Sequence, residues 1–167
     1  MTKPTIYLDS NIFSALHYYG RIDENISRQN RTEDWWNLER KHFSLFTSGE
    51  TESELRRGKY SGQRAAIAEA LRLPFLPYDK EVVVLADLYL SKALIPKSKY
   101  VDAMQLAFSV KYGIDYLMSW NYAHLVSAEV QVKLVKLSEQ SMRRIPILVS
   151  PDSIPRASLG QAIRRRD

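Results

Sequence analysis

Short runs of β-prone apolar residues alternate along the chain with longer stretches in which apolar side chains return every three or four positions. The first run, Thr5-Ile6-Tyr7-Leu8, predicts a strand. It stops at Asp9-Ser10-Asn11, three residues suited to capping a helix, and Ile12-Phe13-Ser14-Ala15-Leu16 resumes with helical spacing. Residues 20–32 are polar with little period and read as a loop or a loose helical excursion. A helix is predicted over 33–46, with Trp36, Phe43, Leu45 and Phe46 inward and Glu39, Arg40 and Lys41 in water. Residues 45–48 read as a short second strand. Residues 49–58, GETESELRRG, place acids first and arginines last, as a helix dipole favours. On composition alone this is a solvated surface helix. Only Glu54, followed by Leu55, has an apolar neighbour to pin its turn against the body.

Further on, 63–73 predicts a helix with Ala66, Ile67, Ala70 and Leu71 inward, and 75–77 an extended piece between prolines. Asp79 is placed to cap a helix over 80–93 that turns Val83, Leu85, Ala86 and Leu90 inward. The chain is organised around 100–126. Val101, Met104, Ala107 and Phe108 form a broad helical face, with Asp102, Gln105 and Ser109 on the opposite stripe. Gly113 stands where a C-terminal glycine cap belongs. Residues 114–119 then read as a strand of a sheet covered on both faces. Trp120-Asn121-Tyr122-Ala123-His124 follows at that strand's carboxyl end, where open α/β sheets build their sites. A helix over 128–141, with Val132, Leu134, Val135 and Leu137 inward, leads to a last strand at 147–149. This order predicts one α/β domain with a mainly parallel central sheet over residues 1–155, and a basic tail, 156–167, expected to fray.

Composition narrows the function. The 167 residues are 45% hydrophobic and include three tryptophans, ten tyrosines and five phenylalanines, enough for a core. No apolar run approaches the ~18 residues of a membrane span. No apolar signal core precedes the first strand, so a cytoplasmic protein is expected. The absence of cysteine removes disulfides, thiolate zinc clusters and a cysteine nucleophile. The net charge of +5 and pI near 9.4 are compatible with a polyanionic partner, although Arg164-Arg165-Arg166 carries much of the excess. No Gly-rich phosphate loop and no nucleophile elbow is present, which leaves a phosphatase-like small-molecule enzyme without support.

The candidate chemistry is carboxylate chemistry. Asp9 ends the first strand and Asp102 opens the helix before the fourth, so both can reach one crevice, and Glu54 is placed to join them. The plainer reading makes Asp9 a helix cap. Crowded carboxylates raise one another's pKa, and either a shared proton or a hard divalent cation relieves them. Mg²⁺ takes one or two carboxylates with several waters retained, and so bound it activates water for phosphodiester hydrolysis.

The chain resembles PIN-domain proteins, close to the VapC-type toxins of type II toxin–antitoxin systems. The resemblance is carried by Ile6-Tyr7-Leu8-Asp9-Ser10-Asn11, by Ser48 with Glu54-Leu55-Arg56-Arg57-Gly58, and by Asp102-Ala103-Met104-Gln105-Leu106-Ala107. It continues through 113–121, His124-Leu125 and the pair Trp35-Trp36. It implies a three-layer α/β/α sandwich and a ribonuclease dependent on Mg²⁺ or Mn²⁺. It also implies Asp9 and Asp102 as principal metal-binding residues, Glu54 as an acidic residue holding metal or orienting water, and Asn11 and Ser119 as pocket residues. The partners it implies are an RNA substrate, a small antitoxin and a second copy in a homodimer. Asn121 stands where many members carry a fourth acid, which leaves three carboxylates and puts a two-metal mechanism in doubt. His124 is either a phosphate contact or a hydrogen-bonded structural residue. The alternative function is a PIN-like module that binds RNA or protein with weak or no cleavage.

Overall fold

A computed structural model describes residues 2–139 and 141–157. Five strands form one sheet: β1 (Thr5–Leu8), β2 (Ser44–Ser48), β3 (Phe75–Leu76), β4 (Tyr116–Met118) and β5 (Ile147–Val149). The order is β3-β2-β1-β4-β5 and every pairing is parallel. Among the described residues the helices are α1 (Ser10–Leu16), α2 (Asp23–Leu38), α3 (Gly49–Arg57), α4 (Gln63–Ala70), α5 (Lys80–Ser91), α6 (Tyr100–Lys111) and α7 (Ala128–Ser138), with a 3₁₀ turn at Arg40–His42.

Strand alternation builds two cores. Ile6, Leu8, Tyr116, Met118 and Val149 face one way, onto Phe13 of α1, Trp35 and Trp36 of α2 and Leu55 of α3. Tyr7, Leu117 and Leu148 face the other way, onto α5, α6 and α7 through residues such as Ala86, Leu106 and Leu134. The molecule is therefore an α/β/α sandwich with a fully covered parallel sheet, as expected.

Several local expectations are corrected. Of the two readings open for residues 20–32, the helical one holds from Asp23 on: α2 starts there, with Asp23 and Glu24 in its first turn. Its outer face is so polar that no apolar period marks it. The helix also stops at Leu38, and Phe43 reaches the core from an extended segment leading into β2. Glu39 is buried (3% exposed), against the expectation of a wet residue. Leu71, Val132 and Val135 are exposed, and Val130 takes the inward position of α7 beside Leu134. Both the apolar face and the polar stripe of α6 lie inside, since Asp102 through Val110 are all buried. The tail expected to fray lies, from residue 158 on, outside the described residues. Gly113, at φ +61°, closes α6 as expected. No helix of the described residues is long and apolar enough to cross a membrane.

Candidate active site

The strand order turns at β1. Strands β2 and β3 step away on one side and β4 and β5 on the other, so β1 and β4 diverge in their connections and leave a crevice beyond their carboxyl ends. Leu8 pairs with Met118, and Asp9 N–H donates to the Met118 carbonyl at 3.1 Å. The next residues on the two strands, Asp9 and Ser119, thus stand side by side, Asp9 at the crevice and Ser119 behind it. A cavity of about 320 Å³ opens there, lined by Asp9, Asn11, Glu54, Asp102 and Asn121 together with Ser10 and Lys99.

Asp9 holds the N-cap position of α1, yet its carboxylate makes no cap hydrogen bond. Its Oδ2 accepts from Ser119 Oγ (2.6 Å) and Asn11 Nδ2 (2.7 Å), and its Oδ1 lies 3.2 Å from Ser10 Oγ. The plain cap reading therefore fails, because the side chain is drawn inward. Ser119 is fully buried behind Asp9 and positions it from there, without lining the cavity. Asn11 is fixed at both ends of its amide: Nδ2 also donates to Ser119 Oγ (2.9 Å), and Oδ1 accepts from Trp120 N–H (2.9 Å).

Glu54 arrives from α3. Tyr7 Oη lies 2.6 Å from Ser48 Oγ and 2.9 Å from Thr51 Oγ1, in a fully buried cluster that ties the start of α3 to β1. Leu55 (2% exposed) anchors the following turn. Glu54 Oε2 accepts from Ser10 Oγ (2.7 Å) and Gln105 Nε2 (3.3 Å). Ser10 thus stands between two carboxylates. Gln105, wholly buried, leaves its Oε1 without a hydrogen-bond partner.

Asp102 lies in the first turn of α6. Its Oδ2 accepts from Asn121 Nδ2 at 2.9 Å. The Asn121 Oδ1 is spent on the His124 N–H (3.1 Å) and holds the turn after β4. Asn121 thus orients Asp102 with its nitrogen, while its oxygen ties down the turn after β4. His124 enters through its backbone.

All three carboxyls are pushed up from their ordinary values. Burial is the main cause for Asp9, against its hydrogen bonds. Burial and then the Asp9 charge raise Glu54. Burial, Asp9 and Glu54 raise Asp102 to about 7. Lys99 pulls Asp102 back and Arg57 pulls Glu54 back, but neither offsets the crowding. Among the described residues no three His, Cys, Asp or Glu side chains are gathered tightly enough to hold a metal ion as they stand. The donors present do fit a hard cation of the Mg²⁺ kind, which takes one or two carboxylates and retained waters. The ligating groups it offers are carboxylate oxygens, and Lys99 and Arg57 offset only part of their charge.

The cavity gathers five of the six candidates found by sequence, Asp9, Asn11, Glu54, Asp102 and Asn121, and keeps Ser119 just behind it. Sequence reasoning missed Ser10, Lys99 and Gln105. The signal for Gln105 was present in the stripe it shares with Asp102. Ser10 looked like a second capping residue, and Lys99 like part of a basic connector.

The PIN domain family model matches residues 6–124. No curated protein matches the chain. Among solved structures, the sarcin–ricin loop cleaving toxin VapC20 of Mycobacterium tuberculosis is 18% identical, covers 77% of this chain and 94% of its own, and has a TM-score of 0.48. FitAcB from Neisseria gonorrhoeae is 14% identical, covers 89% of this chain and 99% of its own, and has a TM-score of 0.53, a likeness of fold.

Proposed function

Because the chain belongs to the PIN domain family, we propose that it is a metal-dependent endoribonuclease and the toxin of a type II toxin–antitoxin pair. The observation that carries the nuclease reading is the gathering of Asp9, Glu54 and Asp102 on one cavity at the sheet's switch point, each with its pKa raised. Carboxylates this crowded are costly unless a cation joins them. The toxin role, the small antitoxin and the homodimer rest on the sequence resemblance.

Asp9, Asp102 and Glu54 would hold Mg²⁺ or Mn²⁺, which when bound supplies an activated water and offsets charge growing on a phosphoryl oxygen. The chain's own residues prepare that chemistry. Ser119 and Asn11 hold Asp9 by one oxygen and leave Oδ1 toward Ser10. Asn121 holds Asp102 by its Oδ2. Ser10 and Gln105 fix Glu54. Lys99, at the cavity wall, offers a positive charge to an approaching phosphate.

Cleavage of a mixed, labelled RNA pool with Mg²⁺, with Mn²⁺ and with chelator tests the reading, beside the Asp9→Asn/Asp102→Asn double variant. Metal-dependent cutting by the wild type alone is expected. A second reading, an RNA- or protein-binding module without cleavage, is favoured by one observation: position 121 is an amide whose nitrogen bonds Asp102, so it brings no fourth charge to the site. Well-folded protein that cuts nothing under any metal condition would establish that reading in place of the first.

A further inference from the structure

A second cavity, of about 200 Å³, shares a wall with the carboxylate site. The shared residue is Asn11, whose amide is fixed by bonds to Asp9, Ser119 and Trp120. Beyond it the lining changes character. The half-buried Tyr18 and Tyr60 supply ring surface, the buried Trp120 closes the wall, Ser14 and Asn25 supply small polar groups, and Arg28 supplies a cation. The guanidinium carbon of Arg28 stands 5.9 Å from the centre of the Trp120 ring. Its partner Glu24 is largely exposed.

These walls are pinned from behind. Trp120 Nε1 donates to Thr32 Oγ1 (2.9 Å), Tyr18 Oη accepts from Ile22 N–H (3.1 Å), and Ser14 Oγ lies 3.0 Å from Tyr60 Oη. The cavity is smaller than the ~300–1,000 Å³ of a typical drug-sized site and admits little more than one planar ring system. Aromatic faces with a guanidinium and a few amide and hydroxyl groups are the chemistry that receives an unstacked base of single-stranded nucleic acid.

We propose that this cavity, walled by Tyr18, Tyr60, Trp120 and Arg28, is a subsite for one unpaired base of the RNA strand, next to the phosphodiester presented to Asp9 and Asp102. The proposal rests on the nuclease reading for its substrate and extends it with a position where the strand is read. Arg28 meets the backbone phosphate of that nucleotide, and the rings hold its base. The strand crosses from one cavity to the other over Asn11. A base drawn into the subsite leaves the adjoining phosphate over the carboxylates, so cleavage requires a locally unpaired strand.

The test is fluorescence anisotropy of the full chain with a labelled single-stranded RNA oligonucleotide in chelator, where cutting does not interfere. A series of oligonucleotides carries one abasic nucleotide at each position in turn. Wild type should lose at least about fivefold in affinity at one abasic position, the lower end of the range of a single base–aromatic stack. Tyr60→Ala should bind the intact oligonucleotide that much more weakly and lose nothing further at that abasic position. Arg28→Ala should flatten the salt dependence by about one phosphate contact. Tyr60→Phe, which keeps the ring, should bind as wild type and shows that the loss in Tyr60→Ala is one of stacking; circular dichroism of each variant checks the fold. Equal binding of every abasic oligonucleotide by wild type overturns the subsite, as do losses that simply add in Tyr60→Ala. Failure of the nuclease reading looks different: no metal-dependent cleavage, with the abasic position still felt.

Discussion

Asp102 carries the clearest charge conflict in the molecule. It is 9% exposed, and Asp9 and Glu54 add their repulsion to its burial, so its carboxyl is raised from 3.8 to about 7. Taken at face value that rise corresponds to ~4 kcal/mol against the ionised, metal-free form, part of which belongs to the two neighbours. Asp102→Asn keeps an oxygen for the Asn121 Nδ2 and removes the charge. It should stabilise the metal-free protein by about 1–2 kcal/mol near pH 8, with the gain fading toward pH 4. Urea unfolding in chelator at the two pH values checks this, and a loss of stability near pH 8 would mean that Asp102 is not crowded. Asn121→Asp makes the opposite change. It replaces the donor to Asp102 Oδ2 with a fourth acid, so metal-free stability should fall by about 1–3 kcal/mol while Mg²⁺ binds more tightly. Calorimetric titration with Mg²⁺ reads the second effect. Unchanged affinity would show that position 121 lies outside the ion's reach.

At the scale of elements, the site depends on how α3 is docked. Tyr7 points away from the core that holds Ile6 and Leu8, and its hydroxyl meets Ser48 and Thr51 at the β2–α3 junction. Tyr7→Phe would strand two fully buried hydroxyls. It should cost about 1–3 kcal/mol of stability and loosen the turn that carries Glu54, lowering cleavage without touching RNA binding. A variant as stable as wild type in urea would deny Tyr7 this role. The strands were legible because each is a short β-prone run ending in a polar junction, and all five stand within a residue or two of where the pattern put them. Asp9 and Asp102 were legible for the same reason, as the first acids beyond strand or connector. The first half of α2 was not legible, since residues 23–34 are almost wholly polar and only Thr32 is buried there. The exposure of Val132 and Val135 was hidden too, because α7 meets the body along Val130, Leu134 and Leu137, which leaves those two valines on its outer side. Gln105 was seen as part of a polar stripe, but a stripe in sequence does not tell water from a buried carboxylate. The contact between α3 and α6 decides that, and it is long-range.

For the whole molecule, surface and cavity carry charge of opposite sign. The chain is basic overall, at +5, while its main cavity is acidic. A polyanion is drawn to the body and repelled at the site until a cation is bound. The same opposition shapes stability against pH. Acids outside the cavity, such as Glu81 and Glu129, are lowered by Lys111, Arg143 and Lys133. Their contribution is present above the ordinary carboxyl range and is lost as pH falls through it. The buried acids act in the other direction. Between about pH 4 and about pH 7 the folded protein keeps the Asp102 proton that the unfolded chain has released, so metal-free stability falls as pH rises through that window, and the raised Asp9 and Glu54 carboxyls act in the same direction. The metal-free protein should therefore be most stable in mild acid. Its melting temperature should drop by several degrees between about pH 5 and about pH 8, at ~2–4 °C per kcal/mol for a chain of this size. Because a hard cation binds the deprotonated carboxylates, millimolar Mg²⁺ should raise the melting temperature strongly near pH 8 and hardly at all near pH 5, closing the gap. Thermal melts at the two pH values, with Mg²⁺ and with chelator, separate the alternatives. A flat metal-free profile would mean that the three carboxyls do not share one low-dielectric cavity. An equal Mg²⁺ effect at both pH values would place the ion elsewhere on the surface.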